Sequence, residues 1–310
     1  MTADRNDETT APAAETRPDP IRTWAPAFAL AIAFLWLFHG TIANMADRWS
    51  DPTFSHGWIV APAAVVIAWF RRDTWVGVPF RPATGWGLAI ILFGLISMVA
   101  ATVVAVMFWP CLSMMIVIGG MIVYLAGWQW MRLLAFPYAF LYFMVPWPDF
   151  LVETISFPMQ LSTSAYATLL GSMVGIPVVR DGVNLHIGPP VNASFEVAVA
   201  CSGMHSLVAL LCLGAGFAYF TPAAMWKRWT LFLLGLPMAL AANIFRVFLI
   251  LCVANWISPQ LAAKAFHDWS SPVLFLINTL GLLTIRNMML REPKAAPAVA
   301  SRPVEDDDAF

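Results

Sequence analysis

Charge is scarce in this chain: Asp, Glu, Lys and Arg make up 11% of its 310 residues, while 60% are hydrophobic. Soluble domains carry about 25% charged residues, so a soluble fold is excluded. Cysteine is scarce too. Cys111, Cys201, Cys212 and Cys252 stand too far apart to form a Cys-x-x-Cys metal pair. No His-Glu-x-x-His run is present, which excludes that class of zinc protease, and no Gly-x-Ser-x-Gly elbow suggests a serine hydrolase. The net charge is −1 and no basic patch is interleaved with aromatics, so nucleic acid is not an expected partner. Neither a metal nor a cofactor is expected.

What the chain does have is apolar length. Windows of about 17 to 22 apolar residues recur, the length a helix needs to cross a hydrocarbon core of about 30 Å. They fall near 25–45, 57–70, 86–108, 110–127, 133–146, 203–221, 230–254 and 271–286. The expected fold is an all-α polytopic membrane protein with about eight transmembrane helices. The windows are too long and continuous for a membrane β-barrel. A further helical piece at 149–174 carries Asp149, Glu153, Gln160 and several Ser and Thr residues. It is expected to be amphipathic, lying at the interface or packed against the bundle. Residues 1–22 and 291–310 are rich in Ala, Pro and acidic side chains. They read as a disordered cytoplasmic head and tail around an integral membrane domain at 23–290. The head lacks the basic start and immediate apolar core of a cleaved signal peptide.

Basic residues set the orientation. Arg5, Arg17, Arg22, Arg71, Arg72, Arg81, Arg132, Lys227, Arg228, Arg286, Arg291, Lys294 and Arg302 all fall on one side if there are eight crossings and 149–174 does not cross. Only Arg48, Arg180 and Lys264 then face the other way, with Arg246 left inside the membrane. Thirteen against three places both termini in the cytoplasm. On the outer side are the Ser55-His56-Gly57 loop, the 175–200 segment, the start of the 203–221 helix and His267. Within 175–200, Asp181-Gly182 separates β-branched stretches, and a second extended run begins at Phe195. A small outer-face β-ribbon is expected, with His186 on its surface and an edge able to accept an extended peptide.

Three neighbourhoods on that side carry chemistry. Cys201 sits where extended chain meets helix, followed by Ser202 and Gly203. Unpaired N–H groups and the dipole at a helix start favour a thiolate and can receive an oxyanion, while Gly203 lets a substrate approach closely. The bland alternative is ordinary packing, the role expected of Cys212 and Cys252 within their helices. Arg246 lies inside an apolar helix, where a guanidinium is expensive and ordinarily has a partner, a polar cavity or a job. Asn243 is three residues earlier, on the same face, and is expected to orient it. Arg246 either snorkels outward or pairs with an acid such as Glu196 or Asp149, or it is a fixed cation beside Cys201 that holds a peptide carbonyl or stabilises developing negative charge. His267 is the expected proton-transfer group, since imidazole titrates near neutrality and activates thiols. His205, four residues past Cys201, competes for the same role one turn deeper. His56 is expected to help bind substrate.

The ordered set Ala200-Cys201-Ser202-Gly203-Met204-His205-Ser206-Leu207, Asn243-Ile244-Phe245-Arg246-Val247 and Phe266-His267-Asp268, with Ser55-His56-Gly57, resembles the exosortase/archaeosortase family of membrane cysteine transpeptidase-like sorting enzymes. The resemblance covers about residues 25 to 290. It implies a nucleophile at Cys201, an arginine at Arg246 and a histidine at His267. The implied activity is cleavage, in the bacterial inner membrane and on its periplasmic face, of exported proteins bearing a C-terminal sorting signal. That signal comprises a Pro-Glu-Pro-type motif, a transmembrane helix and a basic end. Implied partners are these exported proteins, membrane lipids and an exopolysaccharide-associated acceptor or machinery. The chain departs from the family in having Ser270-Ser271-Pro272 where glycine often follows the histidine, and His205 at a variable position. Hydrolysis and transpeptidation both fit. A rival reading is a transporter or assembly factor for polysaccharide or lipid-linked intermediates, without covalent catalysis. The lack of an evident inverted repeat counts against it.

Overall fold

The computed structural model describes residues 20–51, 53–104, 106–197 and 203–290, with side chains omitted at 20–24, 102, 104, 205 and 263–271. The helices are α1 (Pro20–Trp49), α2 (Gly57–Phe70), α3 (Thr84–Val104), α4 (Phe108–Ala126), α5 (Trp128–Leu133), α6 (Ala135–Phe140), α7 (Asp149–Met173), α8 (Met204–Phe220), α9 (Met225–Leu233), α10 (Gly235–Trp256) and α11 (Pro259–Leu290). Strands β1 (Val178–Asp181), β2 (Asn184–Ile187) and β3 (Ala193–Glu196) lie between α7 and α8. Among the described residues five stretches are long and apolar enough to cross a membrane: 25–49, 84–101, 108–126, 225–256 and 272–290. Three shorter apolar helices, at 57–70, 135–144 and 206–220, fall on the remaining expected spans. The chain is a polytopic, mostly helical membrane protein carrying a small three-stranded sheet.

Two elements differ from the hydropathy reading. Helix α11 begins at Pro259, so His267 lies within a helix of 32 residues rather than just ahead of one. Its start is signalled by polar chemistry, not apolarity. The Ser258 hydroxyl accepts from Leu261 N–H at 3.4 Å, and proline occupies the first helical position. The expected span 133–146 is instead a broken run: α6 ends at Phe140 and tightens to a 3-10 turn at Leu141–Met144.

Small residues let α3 and α4 lie close. A Cβ on Gly120 would sit 2.9 Å from Ile91 N, and Ser113 Oγ donates to Gly94 O at 2.5 Å. Such contacts drive helix association where apolar burial cannot, because lipid tails are as apolar as the side chains. One core cluster joins α1, α2, α4 and α6 through Phe38, Met45, Val60, Met115 and Phe140. A second joins the sheet to α7, α10 and the start of α11 through Ala167, Leu185, Ile187, Val247, Leu251 and Ala262. A third gathers Phe54, Val152, Met204, Leu207 and Ala239, with Phe275 packed against it.

The sheet is antiparallel, in the order β1-β2-β3, with Asp181 opposite Asn184 and Asn184 opposite Glu196. The hairpin turn falls at Gly182 (φ +62°), as the Asp181-Gly182 signal predicts. Leu185 and Ile187 point to the core while Asn184 and His186 face out, the period-two alternation of a one-sided sheet. His186 is a surface residue as expected, with Nδ1 2.8 Å from Ser194 Oγ. Ser164 Oγ of α7 donates to Gly182 O at 3.0 Å, which latches the hairpin tip to the bundle.

Loop contacts gather in two separate groups. At one end, Arg48 pairs with Asp149, Trp49 Nε1 donates to Met144 O at 2.8 Å, and a cavity of about 460 Å³ opens among Arg48, Met107, Phe108, Trp147 and Phe150. At the other, Arg286 Nε donates to Thr221 Oγ1 at 2.9 Å, Phe80 stacks on Trp130 at 4.6 Å, and Arg71 lies 4.9 Å from the Tyr219 ring centre.

Candidate functional site

Helix α10 organises the site. It packs against α7, α8 and α11, and its buried face carries Ala239, Asn243, Arg246, Val247 and Leu251. Three residues advance about 300° around a helix, so Asn243 and Arg246 present to neighbouring parts of one buried face. Asn243 is 4% exposed and Arg246 5% exposed. A buried guanidinium at this depth costs several kcal/mol unless its surroundings are polar. Its neighbour Val247 belongs to the cluster that seats the sheet, so Arg246 lies at the junction of α10 with the ribbon.

Gly203 ties the start of α8 to that face. It adopts φ +87°, a left-handed conformation open to glycine and strained for other residues. A Cβ there would stand 3.0 Å from Asn243 Cβ and 3.1 Å from its Cγ. The close approach and the turn both require glycine. Asn243 Nδ2 in turn donates to Thr163 Oγ1 of α7 at 3.1 Å. The turn before α8, the α10 face and α7 are thus locked together at one asparagine.

Thr163 is the site residue that the sequence reading missed. On α7 the residues Val152, Ser156, Gln160, Thr163, Ser164, Ala167 and Gly171 are all buried. Their three- and four-residue spacing marks one helix face, and its polar content was a legible sign that α7 packs on a polar site. Ser156 Oγ is buried with no hydrogen-bond partner among the described residues. Thr163→Val removes the acceptor and leaves the buried Asn243 amide short of one bond. The expected cost is about 1 kcal/mol, read as a lower thermal unfolding midpoint in detergent.

The remaining expected site residues are distributed as follows. His56 ends the turn before α2, where its Nε2 donates to Phe143 O at 3.1 Å. Phe54, two residues earlier, shares a core cluster with Met204 and Leu207 of α8. The Ser55-His56-Gly57 loop is therefore brought to the α8 start from the other side. Glu196 is exposed on β3, and Asp149 is engaged by Arg48. Cys201 and Ser202 lie outside the described residues, as do the side chains of His205 and His267. The His267 backbone falls in α11 between Ala262, packed in the sheet cluster, and Phe275, packed against the Met204 cluster. Cys111 and Cys252 are buried in helices and Cys212 is half-buried, all three free thiols, in line with packing roles.

The site so assembled sits where strand, helix start and buried arginine meet at the sheet end of a membrane bundle. No curated protein and no solved structure matches the chain. The family model for transmembrane exosortases matches residues 48–284, a stretch that takes in the Ser55-His56-Gly57 loop, the sheet, Gly203, Asn243 and Arg246. This chain therefore belongs to the transmembrane exosortase family.

Proposed function

We propose that the chain is a membrane cysteine peptidase, with transpeptidase capacity, that cleaves a C-terminal sorting signal from exported proteins through a thioester on Cys201. The observation that carries this reading is the lock of Gly203 on Asn243, one helical turn from the buried Arg246. In the sequence Cys201 precedes Gly203 by two residues, and that proximity supports it as the nucleophile. The run of α11 between Ala262 and Phe275 supports His267 as the proton-transfer group, with His205 the alternative on α8.

The substrate's transmembrane helix docks laterally, and its recognition motif lies extended along the free edge of β3, the strand that leads to Cys201. The Cys201 thiolate attacks the scissile carbonyl carbon. A C–S bond forms and the carbonyl π electrons move to oxygen, where Arg246 stabilises the oxyanion. Collapse of the tetrahedral species breaks the C–N bond, and His267 gives its proton to the departing amine. The resulting thioester is attacked by water, giving a carboxylate, or by an amine, giving a new amide; His267 accepts the attacking group's proton, and the C–S bond breaks to return the Cys201 thiolate. Glu196, exposed beside the strand path, and His56 line the approach, while Asn243 and Ser202 support the turn. The arginine and lysine count directs this end to the periplasm, with eight crossings, α7 lying on the outer side and both termini cytoplasmic.

The test is to stall the reaction. Purified protein is mixed with a substrate carrying a Pro-Glu-Pro-type signal, quenched in acid and measured by intact mass. A covalent adduct released by neutral hydroxylamine and mapped to Cys201 is expected. Turnover without any such adduct, in enzyme quenched at several times within one turnover, overturns the covalent scheme.

A further inference from the structure

At the end of the bundle away from the sheet, α8 finishes among cations. Arg228 Nε donates to Thr221 O at 2.9 Å, and Arg286 Nε donates to Thr221 Oγ1 at 2.9 Å. Arg71 stands 4.9 Å from the ring centre of Tyr219, whose carbonyl lies 3.5 Å from Arg228 Nη2. Capping the last carbonyls of α8 explains the Nε contacts. It does not explain three guanidinium groups gathered around two residues, because each carries five donors. Among the described residues no carboxylate forms an ion pair with Arg71, Arg228 or Arg286, and the Arg48–Asp149 pair lies at the opposite end. Trp69 and Trp229 are exposed nearby, and Arg72 and Lys227 lie over the Trp69 and Trp226 rings at 4.8 and 5.8 Å. Tryptophan and basic residues together mark the depth of lipid headgroups.

An apolar cavity of about 390 Å³ opens beside the cluster. Phe136, Phe140, Phe143, Ala215, Tyr219 and Trp229 are among its walls, and Arg228 stands at its rim. Phe136 stacks on Tyr219 at 3.9 Å, so the ring that meets Arg71 is also a cavity wall. From Phe136 to Phe143 the helical chain rises about 10 Å, which makes the cavity a slot along the bundle with its cationic end at headgroup depth. Basic pockets between transmembrane helices recognise anionic lipid headgroups.

We propose that this slot is a binding site for one anionic phospholipid, with an acyl chain between α6, α8 and α9 and its phosphate on Arg228 and Arg286, assisted by Arg71. The slot ends at Phe143, whose carbonyl accepts from His56. Occupancy therefore steadies the backbone that seats the substrate-side loop.

The full-length protein, reconstituted in nanodiscs of mixed phosphatidylglycerol and phosphatidylcholine, is returned to mild detergent, washed, and examined by native mass spectrometry. About one phosphatidylglycerol per chain is expected to survive the wash in preference to phosphatidylcholine. Arg228→Gln with Arg286→Gln is expected to weaken retention about thirtyfold. Ala215→Phe, which fills the slot and leaves the arginines, is expected to abolish it, while Arg48→Gln at the other end leaves it unchanged. Thermal unfolding and monodispersity verify that each variant is folded, and Ala139→Phe substitutes for any that is not. Equal retention of both lipids, or retention indifferent to these changes, means ordinary annular lipid and overturns the proposal. So does retention that appears only after residues 291–310 are removed, since the acidic tail would then be the cluster's occupant.

Discussion

Replacing Cys201 by alanine is expected to abolish signal cleavage, by at least ~10⁴-fold, while leaving the protein folded and inserted. The magnitude follows from the chemistry. Without the thiol no covalent intermediate forms, and Arg246 and His267 are left with only water to activate. The substitution removes only one small side chain, so the unfolding midpoint in detergent should move little. Substrate should accumulate at full length, still held by its own transmembrane helix, and immunoblotting of membranes resolves the two forms. Cys201→Ser tests the same point more finely. Its hydroxyl is too weak an acid for a histidine at neutral pH to ionise readily, so it should recover little activity. Cleavage by Cys201→Ala at the wild-type rate would mean that the chemistry lies elsewhere.

The second large effect belongs to Arg246, and it separates catalysis from architecture. Arg246→Met keeps length and apolar bulk but removes the charge. Loss of an oxyanion-stabilising group lowers turnover by about 10²- to 10³-fold. Stability is followed alongside, because removing one member of a buried interacting set is itself destabilising. The expected pattern is a fall in cleavage far larger than the unfolded fraction accounts for. Arg246→Lys should rescue little, since a point charge does not reproduce the planar fork of donors. An arginine with a structural role alone gives activity lost only in proportion to the unfolded fraction.

These expectations rest on features that were unequally legible in the sequence. The helical membrane architecture was legible because apolar length has one dominant physical meaning. The ribbon was legible because Asp181-Gly182 between β-branched stretches specifies a hairpin turn, and the turn falls at Gly182. The early start of α11 was not visible to hydropathy, since 259–270 is amphipathic and its start depends on the Ser258-Pro259 cap. The break at 141–144 was hidden for the opposite reason: an apolar composition does not distinguish one straight helix from short tilted pieces. At the site, the Asn243–Arg246 pair could be read from helical spacing alone. The Asn243–Thr163 bond could not, because it joins residues 80 positions apart and depends on which face α7 turns to α10. Gly203 was read as permitting close approach, and the neighbour that approaches it is Asn243.

The central claim is that Cys201, Arg246 and His267 share one electrostatic environment, and thiol reactivity measures that directly. Cys201 is alkylated with a membrane-impermeant iodoacetamide over a range of pH, each profile being normalised to its high-pH plateau to remove differences in access. A neighbouring cation favours the thiolate, so in the wild type reaction should persist to lower pH than for an ordinary thiol. Removing that cation must shift the profile upward. The account predicts such a shift in Arg246→Met and a second, distinct change in His267→Ala, with Arg48→Gln indistinguishable from wild type. Superimposable profiles in all four proteins would contradict it.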